Sequence, residues 1–208
     1  MRSVLIIARL SILENARKHV FHVLCLGLLA IIAGSTLLSM FTEGVQIKIL
    51  KDLCMTSILF GSGVLAITIG CSGIPQDIET KNLYPLLARP ITRTHYLLGR
   101  YVGGLITIIS AVLVMSVVFC ILIASYERTF DPYLILAIGY TILQAAIILA
   151  VSLTLSTSLS SPIAAILTFL VYVFGTVKIG YLGKAIEAST NAVSKTGFSI
   201  IYHILPNL

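Results

Sequence analysis

Apolar residues run through this chain in blocks of about 20, the length a helix needs to cross a hydrocarbon core about 30 Å thick. On that scale the pattern predicts five spans, at about residues 20–41, 53–74, 101–124, 133–156 and 163–177. Ahead of them, residues 1–19 place Leu5, Ala8, Ile12 and Ala16 at helical spacing among Arg2, Arg9, Arg17 and Lys18. A basic helix lying on the membrane surface accounts for that arrangement, although Arg9 intrudes on the stripe. A cleaved secretory signal does not fit, because the charged lead-in is long and the next block is of spanning length. Inside the second block Ser62, Ala66 and Gly70 recur every four residues, a line of small side chains that lets another helix approach closely. Residues 182–208 are too polar to span: Lys184, Glu187, Asn191 and Lys195 separate short apolar groups, and the pattern predicts an outer amphipathic segment. The expected organisation is therefore an interfacial helix (1–19), a transmembrane domain (20–181) and that closing segment.

Composition narrows the class. The chain is 58% hydrophobic and 11% charged, against roughly 25% charged residues in soluble domains. The fold expected is an all-α, polytopic transmembrane helical bundle, with no separate soluble domain. A net charge of +6 spread over the ends of apolar blocks speaks for membrane topology and against a nucleic-acid partner. Basic residues are richer in the N-terminal segment (Arg2, Arg9, Arg17, Lys18) and in the stretch after the second block (Lys81, Arg89, Arg93, Arg100) than in the outer loops. The positive-inside rule then sets the N-terminus in the cytoplasm of a multi-pass cell-membrane protein. Cys25, Cys54, Cys71 and Cys120 show no metal-ligand spacing and fit small core positions.

The polar stretch from Gly73 to Gly104 organises the rest. Asp77 and Glu79 suit the start of a short helix, where acids meet the positive end of the helix dipole. Pro85 limits that helix, Arg89-Pro90-Ile91-Thr92 makes a second break, and Thr92 can cap a helix running on through Leu97 and Leu98 into the third span. Asp77-Ile78-Glu79-Thr80-Lys81, Leu86-Leu87-Ala88-Arg89-Pro90-Ile91-Thr92-Arg93 and Tyr96-Leu97-Leu98-Gly99-Arg100 together resemble the cytoplasmic loop of ABC-2 type transporter permeases, nearest the branch named for multicopper-enzyme maturation. In that family the loop has an acidic start, a Leu-Leu pair, a Lys/Arg-Pro-Ile/Val-Ser/Thr-Arg turn and Leu-Leu-Gly-Lys. Here Thr92 stands for Ser and Arg100 for Lys.

The resemblance implies a type-2 ABC exporter permease whose loop 75–100 holds a coupling helix seated on a separate ATPase subunit. Asp77, Glu79, Lys81, Leu86, Leu87, Arg89, Pro90 and Arg93 would make that contact. It implies a second permease subunit, like or unlike, and ATP and Mg bound by the partner ATPase with no cofactor in this chain. The closing Leu205-Pro206-Asn207-Leu208 also resembles the family, whose members usually continue past that Pro-Asn into a sixth span: either such a span follows Leu208 or the subunit ends early.

The chemistry agrees with power supplied from outside. No Gly-rich phosphate loop ending in Gly-Lys-Ser/Thr is present. The five predicted spans hold no Asp, Glu, Lys or Arg, whereas ion-coupled carriers commonly keep an ionisable group at mid-membrane. On the fourth span Tyr140, Thr141, Gln144 and Ser152 are candidates for a substrate path, and interhelical hydrogen bonding explains such residues equally well. His19, His22 and Cys25 follow at intervals of three, a spacing conceivable for a soft metal but read here as interfacial packing. An intramembrane enzyme would need a paired catalytic set, which the spacing does not offer. The remaining rival is a scaffold or channel unrelated to ABC transporters.

Overall fold

The computed structural model describes residues 2–18, 22–23, 25–27, 29–31, 34, 46–79, 93–126 and 133–177. They form an all-α membrane bundle whose continuous elements are α1 (Arg2–Arg17), α2 (Gln46–Glu79), α3 (Arg93–Tyr126), α4 (Tyr133–Ser158) and α5 (Ser161–Val177), with no strand among the described residues. Most of the predicted first span, loop residues 80–92 and the closing segment 182–208 lie outside the described residues.

Among the described residues, three stretches are long and apolar enough to cross a membrane: Leu50–Pro75, Thr94–Ala124 and Tyr133–Ser158, while Ser161–Thr176 is apolar but shorter. The helices of α2 and α3 outrun the bilayer. At 34 residues each they measure about 51 Å, well beyond a core of about 30 Å. Lys48, Lys51 and Asp52, expected in a loop, accordingly lie on the first turns of α2, and α3 begins at Arg93, directly after the expected cap.

The center of the bundle is α2, which packs on α3, α4 and α5. Its buried positions Leu50, Cys54, Ile58, Ser62, Ala66 and Gly70 step by four, so the small-residue line read from the sequence is its packing face. At Gly70 α4 packs close against α2: a Cβ added there would lie 2.6 Å from Ser152 Cβ. Helix α3 buries Ile108, Val112, Met115, Phe119 and Ile123 and exposes Leu113, Val114, Val117 and Ile121, one face for protein and one for hydrocarbon.

Cross-helix bonds fix direction. Tyr172 Oη donates to the Leu59 carbonyl (3.2 Å) and Ser161 Oγ to the Cys71 carbonyl (3.0 Å), so α5 rises as α2 descends. Leu159 and Ser160 alone join α4 to α5. That hairpin therefore sits at the same end of the bundle as the 73–100 stretch.

On α1 the face turned to the bundle is Ile7, Ala8, Ser11 and Asn15, while Ile6, Leu10 and Leu13 are exposed beside Arg9 and Arg17. Of the expected stripe, Ala8 is buried and Ile12 half-buried, and the side chains of Leu5 and Ala16 are not among those described. α1 lies on α3 at Gly103, where an added Cβ would meet the Ala8 carbonyl at 2.8 Å and Ser11 Cβ at 2.7 Å. Such a contact admits only small side chains at the crossing itself, where Ala8 and Ser11 lie; Ile7 packs beside it, and Ile6, Leu10 and Leu13 face outward.

Candidate functional site

Helix α2 does not stop where the second apolar block ends. Pro75 lies inside it, and a proline there removes the N–H that would bond the carbonyl four residues back. That carbonyl belongs to Cys71, and Ser161 of α5 supplies the missing donor. With its freed carbonyl satisfied, the helix continues to Glu79. Asp77 and Glu79 thus occupy the C-terminal turn of a long helix, not the start of a short one, which corrects the sequence reading. Arg93 is the first residue of α3. Lys81, Leu86, Leu87, Arg89 and Pro90 lie outside the described residues.

Where the two helices flanking the loop pass each other, a charged cluster joins them to α1. Arg100 is 6% exposed and places Nη1 2.9 Å from Glu14 Oε2, its side chain 27% exposed. Arg100 Nη2 donates to the Gly73 carbonyl (3.3 Å) and Nε to Tyr96 Oη (3.4 Å). Lys18 Nζ completes the cluster, 3.4 Å from Glu14 Oε1 and donating to Ser72 Oγ at 3.2 Å. The sequence reading places Arg100 in the loop motif and, with Lys18, among the topology signals, and it assigns Glu14 no role. A usable signal existed: Glu14 is the sole acid among the basic residues of 1–18, and Arg100 sits at the lip of an apolar block.

The α4 candidates do not converge on one spot. Ser152 is fully buried against α2, donating to the Ile67 carbonyl (3.2 Å) and meeting Cys71 Sγ at 3.0 Å. Thr141 is buried and donates to the Ala137 carbonyl of its own helix (2.9 Å). Gln144 reaches α5, its Nε2 3.3 Å from Thr176 Oγ1. Tyr140 is 70% exposed and points away from the bundle. Among the described residues no group of three or more His, Cys, Asp or Glu side chains could hold a metal ion. His22 contacts the Lys18 carbonyl through Nδ1 (3.1 Å), and His19 lies outside the described residues.

What these parts can do is mechanical: two long helices enter a short loop and are fastened at its base. The family profile described as ABC-2 family transporter protein matches residues 7–205. A comparison with curated proteins finds no match. The match takes in α1 from Ile7 and every helix after it, which sets aside the scaffold or channel of unrelated origin. The chain belongs to the ABC-2 transporter family and is a membrane subunit of an ABC transporter, a transport protein and not an enzyme.

Proposed function

We propose that this subunit is an export permease that takes its power from a separate ATPase through the loop 75–100, with ATP and Mg held by that partner. In this reading the N-terminus and the loop face the cytoplasm, and two permease subunits work with two ATPase subunits. The contact falls to Asp77, Glu79, Lys81, Leu86, Leu87, Arg89, Pro90 and Arg93. The observation that carries the reading is the continuity of α2 through Pro75 to Glu79 and of α3 from Arg93 onward. Only residues 80–92 separate two helices that each cross the membrane, so a push of a few ångströms on the loop passes into both spans with little chain to absorb it. Cargo would meet Tyr140 and Gln144, which are exposed or half-buried, while Thr141 and Ser152 support them from the packed side of α4.

The test is co-purification of the ATPase with this subunit carrying Glu79→Lys or Leu87→Lys. A reversed charge at the helix end, or a charge in place of the second leucine of the pair, should abolish binding. Retention of the ATPase by both variants would reject coupling through this loop.

A further inference from the structure

Three helices meet at Arg100, and the form of the contact matters as much as its charge. A guanidinium is planar, and its nitrogens hold fixed positions relative to one another. Arg100 spends all three: one on α1 (Glu14), one on α2 (the Gly73 carbonyl) and one within α3 (Tyr96). No shift of α2 against α1 can keep the three bonds together unless α1 follows. Lys18 duplicates the link from the side of α1, joining Glu14 to Ser72 of α2. Along the rest of its length α1 is held to α3 by close packing at Gly103. Side-chain hydrogen bonds do not lock it there: Ser11 Oγ and both amide atoms of Asn15 are buried with no hydrogen-bond partner among the described residues. The polar links shown between α1 and its neighbouring helices lie in the ionic joint at the base of the loop.

We infer that α1 is a moving part of the transmission, and that Arg100 is the positioning residue that makes it one: through the Glu14–Arg100–Gly73 bridge, displacement of the loop base is passed to the N-terminal helix. The inference rests on the coupling function proposed above and assigns it a third output besides the two spans. A static role, in which the same bridge only holds α1 in place, makes a different prediction. Loss of the bridge would then loosen α1 equally in every nucleotide state.

Hydrogen exchange on the intact complex of this subunit with its ATPase, in lipid nanodiscs with and without ATP plus vanadate, separates the two. In the unaltered complex, nucleotide trapping should change exchange both in loop peptides covering 76–92 and in α1 peptides covering 6–17. In Arg100→Met and in Glu14→Gln the loop response should persist while the α1 response falls several-fold. Arg100→Lys, which keeps the charge without the fork, should fall between them. If Arg100→Met fails to assemble, Glu14→Gln decides, since it leaves the arginine in place. An undiminished α1 response in Glu14→Gln, or α1 exchange raised equally with and without nucleotide, overturns the inference. An unaltered complex whose loop responds while α1 is silent overturns it and leaves the coupling function standing, whereas a loop that never responds removes both.

Discussion

Glu14 and Arg100 are unequal partners because their burial differs. Removing the carboxylate as Glu14→Leu takes from a nearly buried guanidinium its ion pair to α1 and leaves the Lys18 ammonium near by. Breaking a buried ion pair by removing one partner costs about 3–5 kcal/mol. Removing the cation as Arg100→Met leaves a carboxylate that is partly hydrated and still paired with Lys18, so the loss should be nearer the 1–3 kcal/mol of hydrogen bonds to a charged group, on the order of half as much. Thermal unfolding of the detergent-solubilised subunit should therefore rank Glu14→Leu below Arg100→Met. The double variant should recover part of the Glu14→Leu loss. None of this was visible in the linear sequence, where Arg100 lies 86 residues from Glu14 and 27 from Gly73. Composition records that a charge exists; only the fold decides whether it faces solvent or joins three helices. Gly70 is the opposite case. Its role was legible because Ser62, Ala66 and Gly70 share a face by spacing alone, and the partner they await can be any helix able to come close.

Among the elements, α2 shows how a local rule yields to a distant side chain. Pro75 argues for a helix end in any reading confined to its neighbours, and the acids after it then look like the start of a new helix. Ser161, 90 residues away from Cys71, removes the penalty by donating to the carbonyl that the proline leaves free. The helix stays continuous into the loop, and the proposed transmission depends on that continuity. Ser161→Ala should destabilise the subunit by about 1 kcal/mol, the net worth of an ordinary hydrogen bond. In a Pro75→Ala background the same change should cost clearly less, because residue 75 then has its own N–H for Cys71. A double-mutant cycle measured by denaturant titration in micelles reads the difference as a coupling energy, and equal costs in both backgrounds would deny the compensation. For α1 the periodicity predicts the helix, and the two described members of its stripe, Ala8 and Ile12, are buried and half-buried. Ala8 and Ser11 face the bundle because Gly103 leaves space only for small side chains, and Ile6, Leu10 and Leu13 take the outer side.

For the whole molecule, the distribution of charge joins the fold to its orientation. Glu14, Lys18, Arg93 and Arg100 gather at one end, with Asp77 and Glu79 closing α2 beside them, while Lys48, Lys51 and Asp52 lie on the first turns of α2 at the other. Between Tyr101 and Ala124 and from Tyr133 to Val177 there is no Asp, Glu, Lys or Arg. A bundle of this kind cannot turn over once inserted, because carrying its charged ends through hydrocarbon costs several kcal/mol per charge. The end that bears the loop must then be the cytoplasmic one if an ATPase is to reach it. His95, exposed near the start of α3, and Tyr133, exposed at the start of α4, mark the two ends. In a background with Cys25, Cys54, Cys71 and Cys120 replaced by Ser, a His95→Cys protein should react with a membrane-impermeant maleimide in inverted vesicles and not in intact cells. Tyr133→Cys should show the reverse. Labelling of His95→Cys from outside intact cells would put the loop beyond any ATP-hydrolysing partner, and the proposed route of power would fail with it.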